Sequence, residues 1–306
     1  VVNFEKLIDT SFVDISINPA LLSIDKKHVL SLINDFESGK WRYDKFQNYI
    51  WDNIAETALS KNERDKLIEK PNSALIESAK KLRITSNDTI GKGSELCEIL
   101  LYGIMKDYYS ALPIVPKIFY KQNSQDNAKG ADSVHIVIED KGNDFSLWFG
   151  EAKFYKNIDG AIDSAIGSVD NFLRNDNQIK KENSIITSVS DIDNMGLSSE
   201  LVEKIKSTLS GENSLDNIKP KINIPILLLH ECDITKKENE LTEEYKNKMI
   251  SSHKKKANKY FKKQVKVMSN IFKYSNIKFH LILFPIPNKR DIVDRFISNA
   301  EYYRAP

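Results

Sequence analysis

Apolar and polar positions change period several times along the chain, and each change predicts an element. Phe12-Val13-Asp14-Ile15-Ser16-Ile17 alternates and stops at Asn18-Pro19, which predicts a short strand running into a turn. The stretch from about Asp25 to Phe36 reads as helical. Phe46, Ile50, Ile54 and Ala58 then recur every four residues from near Trp41, predicting a second helix. A third runs to about Arg83, and the polar run Thr85-Ser86-Asn87-Asp88-Thr89 marks an element boundary. From Gly93 to Met105 apolar residues fall on every side, the pattern of a buried helix. A strand, two hairpin strands, an amphipathic helix over about Ile158 to Leu173 and further strand and helix units follow. Asn213 to Lys219 reads as a polar loop. Ile222 to Glu231 reads as a strong strand in which Pro225, lacking an N–H, predicts an edge position or a late start. The last apolar strand, Ile277 to Phe284, ends at Pro285-Ile286-Pro287. This alternation predicts an α/β fold with a mixed central sheet flanked by helices, divided into a mainly helical region over 1–88 and a second unit over 89–306.

The hairpin carries the chemistry. Gly130-Ala131-Asp132 leads a strand with Val134, Ile136 and Ile138 on one face, and Lys141-Gly142-Asn143-Asp144 folds the next strand back beside it. That second strand closes on Gly150-Glu151-Ala152-Lys153. Alternate residues of a strand share a face, so Glu151 and Lys153 project together with Phe145, Leu147 and Phe149. A lone Glu-x-Lys on a wet strand face is commonplace and contributes little. Charges at the end of an apolar face are harder to explain as solvent-exposed. One turn thus brings two carboxylates and an ammonium together, a set able to hold a hard divalent cation and to orient a water or steady charge on a phosphate. The preceding buried helix adds glutamates, which are seldom placed in such a helix without a partner. Glu98 is the first choice for a third acid, and Glu95, one turn earlier, is the alternative.

Composition changes this picture little; charge order changes it more. The 306 residues include 45 basic and 43 acidic side chains, so net charge does not point to nucleic acid. Between Tyr245 and Arg290, however, there is no Asp or Glu, while Lys254, Lys255, Lys256, Lys259, Lys262 and Lys263 all fall inside. Tyr245, Met249, Tyr260, Phe261, Val265 and Met268 keep near-helical spacing there. The lysines are therefore either the wet face of an amphipathic helix or a contact for a phosphate backbone, and both readings stay open. Two unpaired cysteines, Cys97 and Cys232, argue against a disulfide framework or structural zinc and fit a reducing cytoplasm. The apolar runs are too short to span a bilayer, so no membrane partner is expected. Five histidines form no HExxH pattern, and His135 alternates to the face opposite Asp132, a structural position. Thr89-Ile90-Gly91-Lys92-Gly93-Ser94 fails as a phosphate loop, because the earlier Gly and the Ser or Thr after Lys92 are missing. Trp41, Trp51 and Trp148 read as core or interface residues.

The acid, hairpin and Glu-x-Lys resemble the PD-(D/E)xK nuclease motif, with Ala131 where that motif often has Pro. Gly93-Ser94-Glu95-Leu96-Cys97-Glu98, Lys117-Ile118-Phe119-Tyr120, Lys129 to His135 and Phe149 to Lys156 are together similar to the HamA family, nuclease subunits of the bacterial Hachiman anti-phage system. The resemblance is close over roughly Gly93 to Phe172. It implies a restriction-endonuclease-like core and a Mg²⁺- or Mn²⁺-dependent, largely sequence-nonspecific DNA nuclease working with the superfamily 2 helicase HamB. In that scheme Asp132 and Glu151 hold the metal, the Ala152 carbonyl and Glu98 complete its shell, and Lys153 positions the attacking water. Two rivals remain open: a stand-alone restriction or repair nuclease, and a non-cutting, DNA-sensing helicase subunit.

Overall fold

In the computed structural model, residues 3–83, 93–112, 114–120, 130–188, 192, 196–211 and 213–305 are described. Strand β1 (Glu5–Ser11) is followed by a 3-10 turn, then β2 (Lys27–Ile33) and the small hairpin β3 (Phe36–Glu37) and β4 (Lys40–Trp41). Helices α1 (Tyr43–Ala58), α2 (Lys61–Lys66), α3 (Pro71–Lys80), α4 (Ser94–Tyr109) and α5 (Lys117–Tyr120) lead to the hairpin β5 (Ser133–Glu139) and β6 (Asp144–Tyr155). Helices α6 (Ile158–Arg174), α7 (Asp176–Ser188), α8 (Ser199–Thr208) and α9 (Leu215–Ile218) follow, then β7 (Ile222–Glu231) and α10 (Asp233–Lys237). The chain closes with α11 (Glu243–Met268), β8 (Lys278–Ile286) and α12 (Lys289–Arg304).

Six strands form one mixed sheet in the order β1-β2-β8-β7-β6-β5. The four central strands are parallel, and β1 and β5 pair antiparallel at the two edges. Helices cover both faces, as a mostly parallel sheet requires. One layer packs α6, α8 and α11 with Val134, Phe145, Leu147 and Phe149. The other packs α1, α4 and α12 with Trp148, Phe154, Leu227 and Phe284. The α/β expectation holds, and the 1–88 region supplies β1 and β2 to this same sheet besides three helices. The boundary expected at 88/89, with its polar run, lies outside the described residues.

Several expectations are corrected. Asp25 to Phe36 is not a helix: Lys27–Ile33 is a strand flanked by β1 and β8. Its apolar residues are buried on both faces, Val29 in one layer and Leu30 and Leu32 in the other, which blurs strand alternation into an apparently helical spacing. The first strand is Glu5–Ser11, and Phe12 begins a 3-10 turn whose ring packs 4.6 Å from that of Phe261. Between the buried helix and the hairpin, where a strand is expected, the described residues hold an isolated bridge from Leu112 to Ile136 and a single helical turn, α5. The loop expected over Asn213 to Lys219 contains helix Leu215–Ile218, with Ser214 capping the Asp216 N–H and Leu215 and Ile218 buried.

Strand β7 is central, not at an edge. Pairing between β6 and β7 lapses opposite Ile224 and Pro225 and resumes in the same register at Glu151 and Ile226, so the imide without an N–H falls where the ladder to β6 is interrupted, while the pairing with β8 continues. Gly150 sits at this lapse because a side chain there would strike Leu101 at 2.8 Å and the Ser133 hydroxyl. The helices expected from Trp41 and from Ile158 are α1 and α6, and α4 is buried continuously from Leu96 to Met105. Trp41, Trp51 and Trp148 are core residues.

Candidate metal centre

The site forms where β5 stops and β6 continues. Ser133 pairs with Gly150, and beyond that point β7 is the one strand paired with β6 among the described residues. Asp132 bridges the gap: its N–H donates to the Gly150 carbonyl at 2.8 Å, and its carboxylate accepts the Ala152 N–H at 3.0 Å. A backbone donor that would lose its ladder partner is thus satisfied by a side chain. Odd-numbered residues of β6 face the α6 layer, so Glu151 and Lys153 continue the row of Phe145, Leu147 and Phe149, and the Lys153 ammonium lies 2.5 Å from the Glu151 carboxylate.

Asp132, Glu151 and Lys153 line one cleft of about 510 Å³ with Gly130, Ser168, Asn171, Asn175 and Gln178. Burial and the neighbouring charge of Asp132 push the Glu151 carboxyl up, against the opposing pull of Lys153 and a hydrogen bond with Ser168. The Lys153 ammonium is itself pushed up by the charges of Glu151 and Asp132, although burial opposes this. Burial and the charge of the second acid together exceed the pull of the one ammonium on Glu151. That is the situation a divalent cation relieves.

Glu98 is buried on α4 and lies outside the residues lining this cleft. It is near enough for its charge and that of Asp132 to act on the Cys97 thiol, which burial first and then these two carboxylates push well up. Glu95 accepts the Arg83 N–H at 2.8 Å, which ties α4 to the end of the α3 segment. Among the described residues no group of three or more His, Cys, Asp and Glu side chains is gathered as a metal cluster. The oxygen donors lining the cleft are thus the two carboxylates of Asp132 and Glu151 with the neutral side chains of Ser168, Asn171, Asn175 and Gln178; Ala152 does not line it. This set fits Mg²⁺ or Mn²⁺ better than zinc, since Mg²⁺ is commonly held by one or two carboxylates with waters and substrate phosphate filling the rest.

Sequence reasoning did not single out Ser168, Asn171 and Gln178. A signal was present: Ser164, Ser168, Asn171 and Asn175 recur at helical spacing as an uncharged stripe, while Asp159, Asp163, Asp170 and Arg174 occupy another side of α6. That charged side meets α11. Lys256 and Lys259 lie 3.2 and 2.8 Å from Asp159, and Lys263 pairs with Asp163. The acids missing between Tyr245 and Arg290 are therefore partly supplied by α6. Lys254, Lys255 and Lys262 are exposed and form no ion pair among the described residues. His135 is fully buried against Tyr102 on the α4 side, with its pKa lowered to about 3 by burial. Cys97 and Cys232 are both free thiols, and no helix among the described residues is long and apolar enough to cross a membrane.

A family model described as HamA matches residues 7–300, nearly the whole chain. The chain belongs to the HamA family, and with it to the Hachiman anti-phage defence system. A search of curated proteins returned no match.

Proposed function

We propose that this HamA-family protein is a metal-dependent, largely sequence-nonspecific DNA nuclease, the effector of its defence system, restrained by and acting with a superfamily 2 helicase. The observation that carries this reading is the pair Asp132 and Glu151 in one cleft with Lys153, the Glu151 carboxyl pushed up by burial and by the charge of Asp132 against the pull of Lys153. Mg²⁺ or Mn²⁺ bound there would supply positive charge to a scissile phosphate and acidify its water. The chain's own residues do the rest. Asp132 and Glu151 hold the cation, the Ala152 backbone stays fixed by its bond to Asp132, and Lys153 orients the attacking water and steadies charge developing on the phosphate. Glu98 acts from the α4 side, through water or directly.

The exposed lysines of α11 support phosphate contact on the same side of the sheet as the cleft, because α11 and α6 pack in one layer. Contacts of this kind carry affinity without sequence preference. A nuclease that does not read bases threatens the host genome, so a partner must hold it in check. The test mixes the purified chain and its helicase with linear and closed plasmid DNA, with and without ATP. Stable complex formation and nucleotide-dependent, EDTA-sensitive cutting are expected. If the isolated chain cuts equally well whatever the nucleotide, the stand-alone nuclease replaces this reading; if no metal supports cutting under any condition, the DNA-sensing subunit does.

A further inference from the structure

Behind the cleft wall lies a charged pair that the proposed chemistry does not use. Lys117 opens α5 and Glu182 belongs to α7; their side chains are 5% and 2% exposed, and the ammonium lies 2.6 and 2.7 Å from the two carboxylate oxygens. Between them in sequence comes the segment that starts the hairpin. Gly130 lies directly on the pair: a methyl group there would run into the Glu182 carboxylate and approach the Lys117 ammonium to 3.7 Å. Gly130 also lines the cleft, and so does Gln178, one helical turn before Glu182 on α7.

The geometry points to Lys117 and Glu182 as positioning residues that fix Gly130 and thereby set where Asp132 presents its carboxylate to the cation; this rests on the nuclease reading above. Asp132 is two residues from Gly130 and is tied to β6 at the Gly150 carbonyl and the Ala152 N–H. The segment 130–132 is thus clamped on one side by strand β6 and on the other by the ion pair. Without the pair, the bonds to β6 would still locate the Asp132 backbone, but the chain entering it would lose its stop. Stability alone does not account for such a pair. Burying two charges costs several kcal/mol per ion, and apolar residues of similar volume often serve stability equally well. What the pair adds is direction: two hydrogen-bonded contacts hold the carboxylate at one place, and only a residue without a side chain can pass over it. Groups bonded directly to a metal ligand are worth about 10- to 100-fold in metal affinity, and a clamp two residues from the ligand belongs at the low end of that range.

The experiment uses the full chain, with Mn²⁺ titrated by calorimetry, unfolding followed by heat, and DNA cleavage assayed in the helicase complex. The double substitution Lys117→Met with Glu182→Leu replaces the charges by apolar groups of similar size. It should unfold near the wild-type temperature, bind Mn²⁺ about tenfold more weakly, and lower kcat about tenfold with KM for DNA nearly unchanged. Gly130→Ala keeps both charges and should weaken Mn²⁺ binding similarly. Adding Glu182→Asp, which draws the carboxylate back from the new methyl, should restore much of that affinity. Wild-type Mn²⁺ affinity and kcat in a folded double variant would overturn the positioning role. If the double variant does not fold, Gly130→Ala decides, and wild-type Mn²⁺ binding by that protein overturns the role as well. Failure of the unsubstituted chain to bind Mn²⁺ would overturn the nuclease reading and this inference with it.

Discussion

The two ends of β6 carry carboxylates in opposite environments. At the start of the strand, Asp144 is half-exposed and lies 2.7 Å from Lys221 and 3.0 Å from Lys204. Its hydrogen bond to Lys221, aided by Lys204, holds its pKa down to about 2. At the other end Glu151 also has a lysine at 2.5 Å, yet its carboxyl is pushed up. The difference is burial and a second acid. Asp144 meets two cations in water, whereas Glu151 meets one cation and Asp132 in a partly closed cleft. A salt bridge drawn from distances alone would treat the two ends as equivalent. At the first end the cations hold the carboxylate in its charged form; at the second, burial and a neighbouring acid work against that form, the kind of perturbation that marks a candidate metal centre rather than a surface ion pair.

Breaking each end should separate them most sharply. Glu151→Ala or Lys153→Ala is expected to lower DNA cleavage by at least about 10²- to 10³-fold with the fold retained, while Asp144→Ala stays within about twofold. Gel-based cleavage with circular dichroism checks this, and equal losses at both ends would erase the contrast. Metal addition comes next. Mg²⁺ at about ten times its Kd should raise wild-type stability by about 1.4 kcal/mol and should do nothing for Glu151→Ala, as read by thermal or urea unfolding; EDTA should abolish cutting.

Smaller effects sharpen the same comparison. Glu98→Gln should cost about tenfold in cleavage, and Glu95→Gln less than about twofold, because a Gln side chain can still accept the Arg83 N–H. The reverse ranking in a kinetic assay would show that Glu95 faces the chemistry. Replacing Lys254, Lys255 and Lys262 by Gln should weaken DNA binding alike on all sequences. It should also flatten the slope of log K against log salt by up to about 2.7, checked by fluorescence anisotropy across a salt series. The smallest effect belongs to the first end. The folded pKa of Asp144 is depressed, so its contribution is present above its ordinary value of 3.8 and is lost as pH falls toward about 2. Asp144→Asn should therefore cost a few tenths of a kcal/mol at neutral pH, a difference from wild type that disappears between those values in urea titrations.

Part of the site was legible because it rests on short-range rules. Strand alternation alone put Glu151 and Lys153 on one face with Phe145, Leu147 and Phe149, and the turn over Lys141 to Asp144 brought Asp132 across from them. The continuous burial of α4 was legible for the same reason: an apolar residue on every side of a helix leaves no face for water. The uncharged stripe on α6 was also written in the sequence, but a run of Ser and Asn acquires meaning only when a cleft lies beside it.

The sequence by itself determined the periods of the long helices, the hairpin and its shared face, and the segregation of lysines into one acid-free stretch. The tertiary structure decided what those features meet. It made Lys27–Ile33 a strand, since burial on both faces erases the alternation that identifies a strand locally. It placed Pro225 in the middle of the sheet, where the ladder between β6 and β7 is interrupted. It set Asp159 and Asp163 against the lysines of α11, and it joined Lys117 to Glu182 across 65 residues. Periodicity is a property of neighbours along the chain, whereas burial and charge balance depend on which distant segments pack together, and pairings of that kind leave no local signature.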